Sequence, residues 1–539
     1  MVFIHHTKIK NIMIPNTRIL FFVVSAAAAI LLVAATTTTD RHYLSSLCHG
    51  ALNPDTCRSF VYEAAASGAP PTPTALLKKM LINHLRYINS AASQTQKLKN
   101  QINGRRRRSG DLSDCLELFD LSNDLVLNSF HALEDQSAAS RADARAWLSA
   151  ALANHVTCFD GLRNSRRQIL RPVLEEVISR NRAALAVLAA TSPPDDEMIR
   201  LPTGEPLPWI SPADRKLLQS AAGEVKADVT VAKDGSGKYK TVAEAVAAAP
   251  EKRTQRYVIR VKKGTYKEQV EIGKKKQNLM IIGDGAESTV ITGDLNVADG
   301  STTFRSATLS AVGEGFILQD ITVQNTAGPE KHQAVALRVG ADKSVINRCR
   351  IEAFQDTLYA HSLRQFYREC NITGTVDYIF GDAAAVFQKC AVVARRPMKG
   401  QKNMVTAQGR TDPNQNTGIS IQGCKIVASE DLEAAKREFR TYLGRPWKNF
   451  SRTVVMESYV GDHVDPAGWS EWDGDFALKT LYYGEYLNGG PGAGTAGRVK
   501  WEGYHVITDP AEAMKFTVGE LIQGGAWLDS TGVAYTEGL

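Results

Sequence analysis

Cysteine is sparse, with eight in 539 residues. None falls in a Cys-x-x-Cys pair or a Cys/His cluster, which excludes a structural zinc site of the usual ligand spacing. No Gly-x-Ser-x-Gly elbow occurs, and His332 and His361 have no evident Ser or Cys companion, so a triad hydrolase is not indicated. Aromatic residues make up only 7% of the chain and no basic stripe is interleaved with them, which excludes nucleic acid as the expected partner. Charged residues at 22% beside 43% apolar content exclude wholesale disorder. The remaining charge signature is a net +7 and a pI near 8.8, a modest excess that suits an anionic partner or an ordinary basic secreted protein.

Only one long apolar run is present, Ile19–Ala35, broken by Ser25. It follows Lys8, Lys10 and Arg18 and gives way to Thr36–Thr39, the layout of a secretory signal or signal-anchor over residues 1–39. In an oxidising compartment the cysteines are expected to pair rather than to hold metal. Residues 40–190 read as helical. Apolar positions recur at three and four, as in Leu112, Cys115, Leu116, Phe119 and Trp147, Leu148, Ala151, Leu152, His155. Four or five such helices make an antiparallel bundle, and local pairing of Cys48 with Cys57 and of Cys115 with Cys158 would staple it. Arg105–Arg108 interrupts the pattern as a solvated loop or a protease-sensitive site. Residues 191–227 form a linker rich in Pro, Asp and Ser that carries a dibasic pair, Arg215-Lys216, where a chain is open to nicking.

From residue 228 to 539 the composition changes to short runs of Val, Ile, Thr, Gly and Asn. Five segments beginning at Phe316, Val345, Phe366, Val386 and Ser420 superpose on one frame, whose shared column is Asp320, Cys349, Cys370, Cys390 and Cys424. A period near twenty with variable insertions predicts a parallel β-helix, in which each coil buries its inner face by stacking on the next. In that frame the cysteines climb about 5 Å per coil, and either Cys349–Cys370 or Cys370–Cys390 lies within disulfide reach.

The same frame brings two carboxylates together. Asp356 follows Cys349, and Asp377 follows Cys370, by the same seven residues, so equal phase sets both on one wall a coil apart. Carboxylates that close cannot both ionise easily, so one keeps its proton, which prepares an acid and a nucleophile side by side. Gln355 and Gln333 offer neutral amide donors for a developing oxyanion, and Arg445 offers a planar fork to hold one carboxylate ionised. Trp447 and Tyr442 suggest a flat wall for sugar rings.

The second half closely resembles the plant pectin methylesterases (pectinesterases). The blocks that carry the resemblance are Gly264-Thr-Tyr-Lys-Glu268, Gln333-Ala-Val-Ala-Leu337, Gln355-Asp-Thr-Leu358, Asp377-Tyr-Ile-Phe-Gly381 and Leu443-Gly-Arg-Pro-Trp447. The first half resembles the inhibitor domain that precedes the enzyme in many plant members, through its four cysteines and Trp147-Leu-Ser-Ala-Ala-Leu. The resemblance implies a right-handed all-β parallel β-helix that removes methyl esters from galacturonate units of pectin without cofactor or metal. Asp377 is then the nucleophile, Asp356 the general acid and base, Gln333 and Gln355 the oxyanion hole, and Arg445 the anchor of Asp377. Thr303 and Trp447, with Phe304, Tyr359, Phe380 and Tyr442, are the implied substrate contacts. The resemblance also favours Cys370–Cys390 as the disulfide.

Further expectations follow from it: an autoinhibitory or folding role for the helical domain, cleavage by a protease at Arg215-Lys216, separate inhibitor proteins as partners, and a cell-wall location. Tyr378 stands where the family usually has Phe and Asp382 where Asn is common. Sequons lie at Asn371 and Asn449. Two rival readings remain on the sequence. One is a β-helix pectate lyase or polygalacturonase, the former needing Ca²⁺; the other is a non-catalytic inhibitor or wall-binding protein.

Overall fold

A computed structural model describes residues 38–102, 110–135, 137–191 and 226–539. The N-terminal apolar run, Arg105–Arg108 and the Arg215-Lys216 pair lie outside the described residues.

Six helices come first: α1 (Thr38–Ser46), α2 (Pro54–Ala66), α3 (Pro73–Gln101), α4 (Gly110–Ala132), α5 (Ala138–Gly161) and α6 (Asn164–Ala190). Asn53 and Thr72 cap α2 and α3 by accepting backbone N–H groups, and a proline follows each cap where its missing donor costs nothing. The four long helices pack through a stripe of Leu, Ile, Val and Ala that includes Leu81, Leu118, Leu148, Leu152 and Leu185. Disulfides Cys48–Cys57 and Cys115–Cys158 tie the turn after α1 to α2 and α4 to α5.

The remainder is a solenoid of three parallel sheets with eleven, seven and eight strands. The seven-stranded sheet positions the site. Its strands are β1 (Val270–Ile272), β2 (Leu309–Ala311), β3 (Leu337–Val339), β4 (Leu358–Ala360), β5 (Ile379–Gly381), β6 (Asn403–Gln408) and β7 (Thr441–Gly444), each hydrogen-bonded to the next. Inward residues stack in register along every wall. Ile291, Val323, Ile351, Ile372, Val392, Ile426 and Val460 form one such column, and the Tyr367 and Phe387 rings stack 4.3 Å apart in another. A short helix, Val242–Ala248, closes the N-terminal end of this core with Val242, Ala245 and Val246.

The register corrects the sequence frame by one residue. Gln319 pairs with Asn347 and Thr322 with Arg350, so Ile321, not Asp320, shares the column of Cys349. Asp320 instead matches Arg348, Glu369 and Lys389, and all four have φ between 51° and 54°. One left-handed residue makes the corner between two sheets in each coil, and an apolar Ile or Cys then turns inward.

The expected Cys370–Cys390 disulfide is not formed. Cys349, Cys370, Cys390 and Cys424 are all buried free thiols. Neighbouring coils sit about 4.8 Å apart with their Cβ atoms parallel, whereas a disulfide wants its Cβ atoms about 3.8 Å apart. Each thiol instead serves the ladder: Sγ of Cys370 and of Cys390 accepts the backbone N–H of the preceding cysteine at 3.5 and 3.4 Å. Burial pushes the Cys349, Cys370 and Cys390 thiols well above their usual range, which keeps them neutral.

Candidate active site

Leu358 of β4 pairs with Ile379 of β5, and each follows its aspartate by two residues. Asp356 and Asp377 therefore occupy the same place on consecutive coils, and both take a left-handed backbone, with φ of 63° and 52°. The Asp356 N–H donates to the Val376 carbonyl at 3.0 Å, which locks the two turns together. Both side chains are nearly buried, at 7% and 6% exposure, so their charges act on each other through little solvent.

Arg445 follows β7 and reaches across to Asp377, with Nε to Oδ1 at 2.8 Å and Nη2 to Oδ2 at 2.7 Å. The indole of Trp472 lies 4.3 Å from the same guanidinium and fixes its plane. Among the described residues no such fork reaches Asp356. Burial, then the Asp377 charge, push it well above the carboxylate range, and Arg445 opposes this only by its distant charge. Burial raises Asp377 as well, but the hydrogen bonds and the charge of Arg445 counter it directly. The arrangement thus holds the proton on Asp356 and the charge on Asp377.

These groups line a cleft of about 640 Å³ with Thr303, Phe304, Gln333, Gln355, Tyr359, Phe380 and Trp447. Among the described residues neither Gln333 nor Gln355 commits its side-chain amide to an internal hydrogen bond. In-register outward positions of β4 to β6 give the floor, Tyr359, Phe380 and Ala407 in turn. Tyr359 and Phe380 stack at 4.2 Å, and Trp447 meets Phe380 edge-on at 6.0 Å. Gly409 lets the indole lie flat, because a Cβ there would sit 2.8 Å from Trp447 Cε3.

Tyr442 departs from its expected place. It is buried in β7 opposite Met404, under the Lys402 ammonium, and does not line the cleft. Its separation of three from Arg445 is odd, and odd separations on an extended chain fall on opposite faces. Tyr378, between Asp377 and β5, points inward, and its buried hydroxyl has no partner among the described residues. Asp382 is buried and accepts from Gln408, Gln415 and Thr417, and burial lifts it to about 7 against those hydrogen bonds.

Trp472, an isolated aromatic, gives no sequence signal for its place at the cleft. The same holds for the helical groups that cover the opening. Asp111, Asp114, Thr157, Asp160 and Arg163 form its outer wall. Thr157 Oγ1 lies 3.0 Å from His361 Nε2, and Lys448 Nζ lies 2.6 Å from Asp160. Phe304, Tyr359, Phe380 and Ala407 share one apolar cluster with the helical core. Among the described residues no group of acidic, His or Cys side chains is arranged to hold a metal ion, and no helix is long and apolar enough to cross a membrane.

Comparison with known proteins places this geometry. The pectinesterase family profile matches residues 228–525, and the plant invertase/pectin methylesterase inhibitor profile matches residues 42–189. Pectinesterase 2.1 of Solanum lycopersicum is 60% identical over 92% of this chain and 90% of its own length. Pectinesterase/pectinesterase inhibitor 18 of Arabidopsis thaliana is 53% identical, also over 92% of this chain and 90% of its own. Among solved structures, the pectin methylesterase from carrot shares 62% identity with a TM-score of 0.58, covering 58% of this chain and 99% of that protein.

Proposed function

The chain belongs to the pectinesterase family of carboxylic-ester hydrolases, and from that premise we propose that its cleft demethylates pectin through Asp377 and Asp356. The observation that carries the assignment is asymmetry: two aspartates share one phase on adjacent coils, but only Asp377 holds the Arg445 fork. A carboxylate of Asp377 attacks the carbonyl carbon of a galacturonate methyl ester. Negative charge moves to the carbonyl oxygen, where the amide N–H groups of Gln333 and Gln355 receive it without giving up a proton. As the tetrahedral species collapses, the carbon–methoxy bond breaks and Asp356 delivers its proton to the departing oxygen, releasing methanol. The sugar acyl group is left on Asp377 as an anhydride. Asp356, now ionised, takes a proton from water, the hydroxide adds to the acyl carbon, and Asp377 leaves as a carboxylate. No cofactor is required, and the rings of Tyr359, Phe380 and Trp447 give the sugar a surface. Methanol release from methylated pectin tests the assignment: Asp377→Asn and Asp356→Asn should each nearly abolish it in a folded protein, and turnover by Asp377→Asn would remove the nucleophile.

The helical domain, residues 40–190, acts in this reading as an attached inhibitor. Its α4 and α5 cover the opening, and its Asp160 and Thr157 engage Lys448 and His361. Release follows cleavage in the linker at Arg215-Lys216 by a protease of the secretory route, after which the enzyme of residues 228–539 works in the cell wall. Full-length chain inactive before linker cleavage and active after it supports this; equal activity refutes it. Asn449 is exposed and open to a glycan beside Trp447.

A further inference from the structure

A second cavity opens where the two units meet, away from the acid pair. It measures about 230 Å³ and lies between the start of α5, the loop after β6 and the segment around Phe516. Arg145 lines it and Thr157 lines the cleft; the two are twelve residues apart on α5, about 18 Å along the helix axis. Arg141 and Arg145 of the helical domain and Arg410, Arg452 and Lys515 of the solenoid supply five cations to its wall, against the two carboxylates of Glu512 and Glu520. Backbone carbonyls hold the guanidinium groups in place. Arg145 Nε donates to Asn414 at 3.0 Å, Arg410 Nε to Gln415 at 3.1 Å, Arg452 Nε to Thr417 at 2.7 Å and Arg141 Nη1 to Thr191 at 3.2 Å. A carbonyl orients a guanidinium but leaves its positive charge intact, so the wall attracts anions. Glu512 is shared between Lys515 at 3.0 Å and the Tyr482 hydroxyl at 2.8 Å.

The chain itself carries a matching anion. Thr191, held by Arg141 of the cavity wall, is the last described residue of the helical domain, and residues 192–225 then join it to Lys226. The first charged residues of that linker are Asp195, Asp196 and Glu197. Four to six residues of chain reach at most about 14 to 22 Å, enough to enter a cavity whose wall includes Arg141. The later acids, Glu205, Asp214 and Glu224, are single charges, and the last two are badly placed. Lys226 leads into Val229–Val231, the first strand of the eleven-stranded sheet, while Arg452 opens the ninth. Parallel strands begin on one edge, so eight spacings of about 4.8 Å put about 38 Å between them. Glu224 is two residues from Lys226, and the twelve from Asp214 span at most about 43 Å, with almost no slack. The twenty-nine from Glu197 span more than twice that length.

We propose that Asp195-Asp196-Glu197 docks in this cavity and braces the helical domain against the solenoid on the side away from the cleft. Three carboxylates meet a wall on which five cations face two acids, an excess of three. The run bridges Arg141 and Arg145 on one unit to Arg410, Arg452 and Lys515 on the other, so it holds both at once. It also stays with the helical domain when the chain is cut at Arg215-Lys216, because that pair lies eighteen residues further on. Cleavage there severs the covalent tie and leaves the brace in place. The brace concerns how the two units hold together, and it stands whether or not the helical domain inhibits.

Carbodiimide coupling of the full chain tests the docking, since it joins a carboxylate to an ammonium without a spacer and so only where the two touch. Lys515 is the lysine among the described residues of the wall. Peptide mapping by mass should find it joined to residues 192–200. A link between Lys515 and Glu512, its neighbour at 3.0 Å, is the internal sign that this ammonium has reacted. That link alone, or links from Lys515 to Glu205, Asp214 or Glu224 in place of the expected one, would overturn the proposal. The brace is read separately, on a chain cut after folding at a specific protease site placed at Arg215-Lys216. Asp195→Asn with Asp196→Asn and Glu197→Gln should raise the dissociation constant of the two pieces about tenfold, measured by sedimentation, and added salt should narrow the difference. An unchanged constant would overturn the brace. Methanol release enters neither measurement, so a failure of the esterase reading would show elsewhere.

Discussion

Replacing Arg445 by Gln removes the group that separates the two aspartates. In the native cleft two charge-assisted hydrogen bonds of 2.8 and 2.7 Å run to Asp377, whose side chain is 8% exposed against 23% for Arg445. At that burial solvent screening is weak, and the bidentate contact contributes on the order of 3 kcal/mol to the ionised form. At about 1.4 kcal/mol per pH unit, its loss raises the Asp377 ionisation by about two units. In the proposed mechanism Asp377 attacks in its unprotonated form, so the acid limb of kcat/KM should move to higher pH by about that much. Asp356 also loses the lowering charge of Arg445, though no hydrogen bond, so the alkaline limb moves the same way by less. Methanol release measured across pH with the solenoid unit reads both limbs. The variant should fall steeply on the acid side of the native plateau and recover towards alkaline pH. A profile of unchanged shape at a uniformly lower rate would refute the reasoning, since Arg445 would then orient Asp377 without setting its charge.

Four further outcomes follow from the geometry. Tyr378→Phe removes a buried hydroxyl that has no partner among the described residues and should stabilise the protein by about 1 kcal/mol in thermal or denaturant unfolding, with methanol release retained. Gly409→Ala pushes a methyl into the Trp447 ring and should raise KM for pectin several-fold with a smaller change in kcat, read from initial rates. Alkylation of the denatured, unreduced protein followed by mass measurement should find the four thiols of Cys349, Cys370, Cys390 and Cys424 free. Burial lifts the folded Asp382 carboxyl from its ordinary 3.8 to about 7, so the folded state holds its proton more tightly. Its own contribution to stability is therefore fully present below pH 3.8 and is lost as pH rises through 7, by up to about 4 kcal/mol; Asp382→Asn should remove that share of the slope in melting curves taken against pH.

Much of the catalytic wall was legible because a solenoid turns sequence interval into spatial phase. The seven-residue offset from cysteine to aspartate, twice repeated, placed Asp356 and Asp377 together before any coordinate did. The same logic slipped by one at Asp320, because the left-handed corner residue takes any side chain and carries no hydrophobic mark. Arg445 reaches Asp377 from 68 residues away, and only the company of Gly444, Pro446 and Trp447 marked it out. Tyr442, close by in sequence, was misplaced by strand parity. The cysteine column was read correctly as a stack and wrongly as a covalent tie, since stacked Cβ atoms run parallel. Trp472 was out of reach because it meets Arg445 from a loop outside the repeat, and the helical residues at the cleft were out of reach because their places depend on how one unit seats on another, which no local pattern encodes.

The interval between the acid pair has a consequence for how this enzyme can vary. Along the column from Ile321 to Cys424 successive coils differ in length, at 28, 21, 20 and 34 residues, because extra residues bulge out at the corners without disturbing the stack. The turn of chain from Asp356 to Asp377 is denied that latitude where it enters β4 and β5. One added residue directly ahead of either strand would rotate an aspartate off the wall while every other rung stayed hydrogen-bonded, leaving a sound scaffold with no reaction centre. Length polymorphism should therefore collect in the outer loops, and the spacing of this single coil should be the part of the molecule least free to drift.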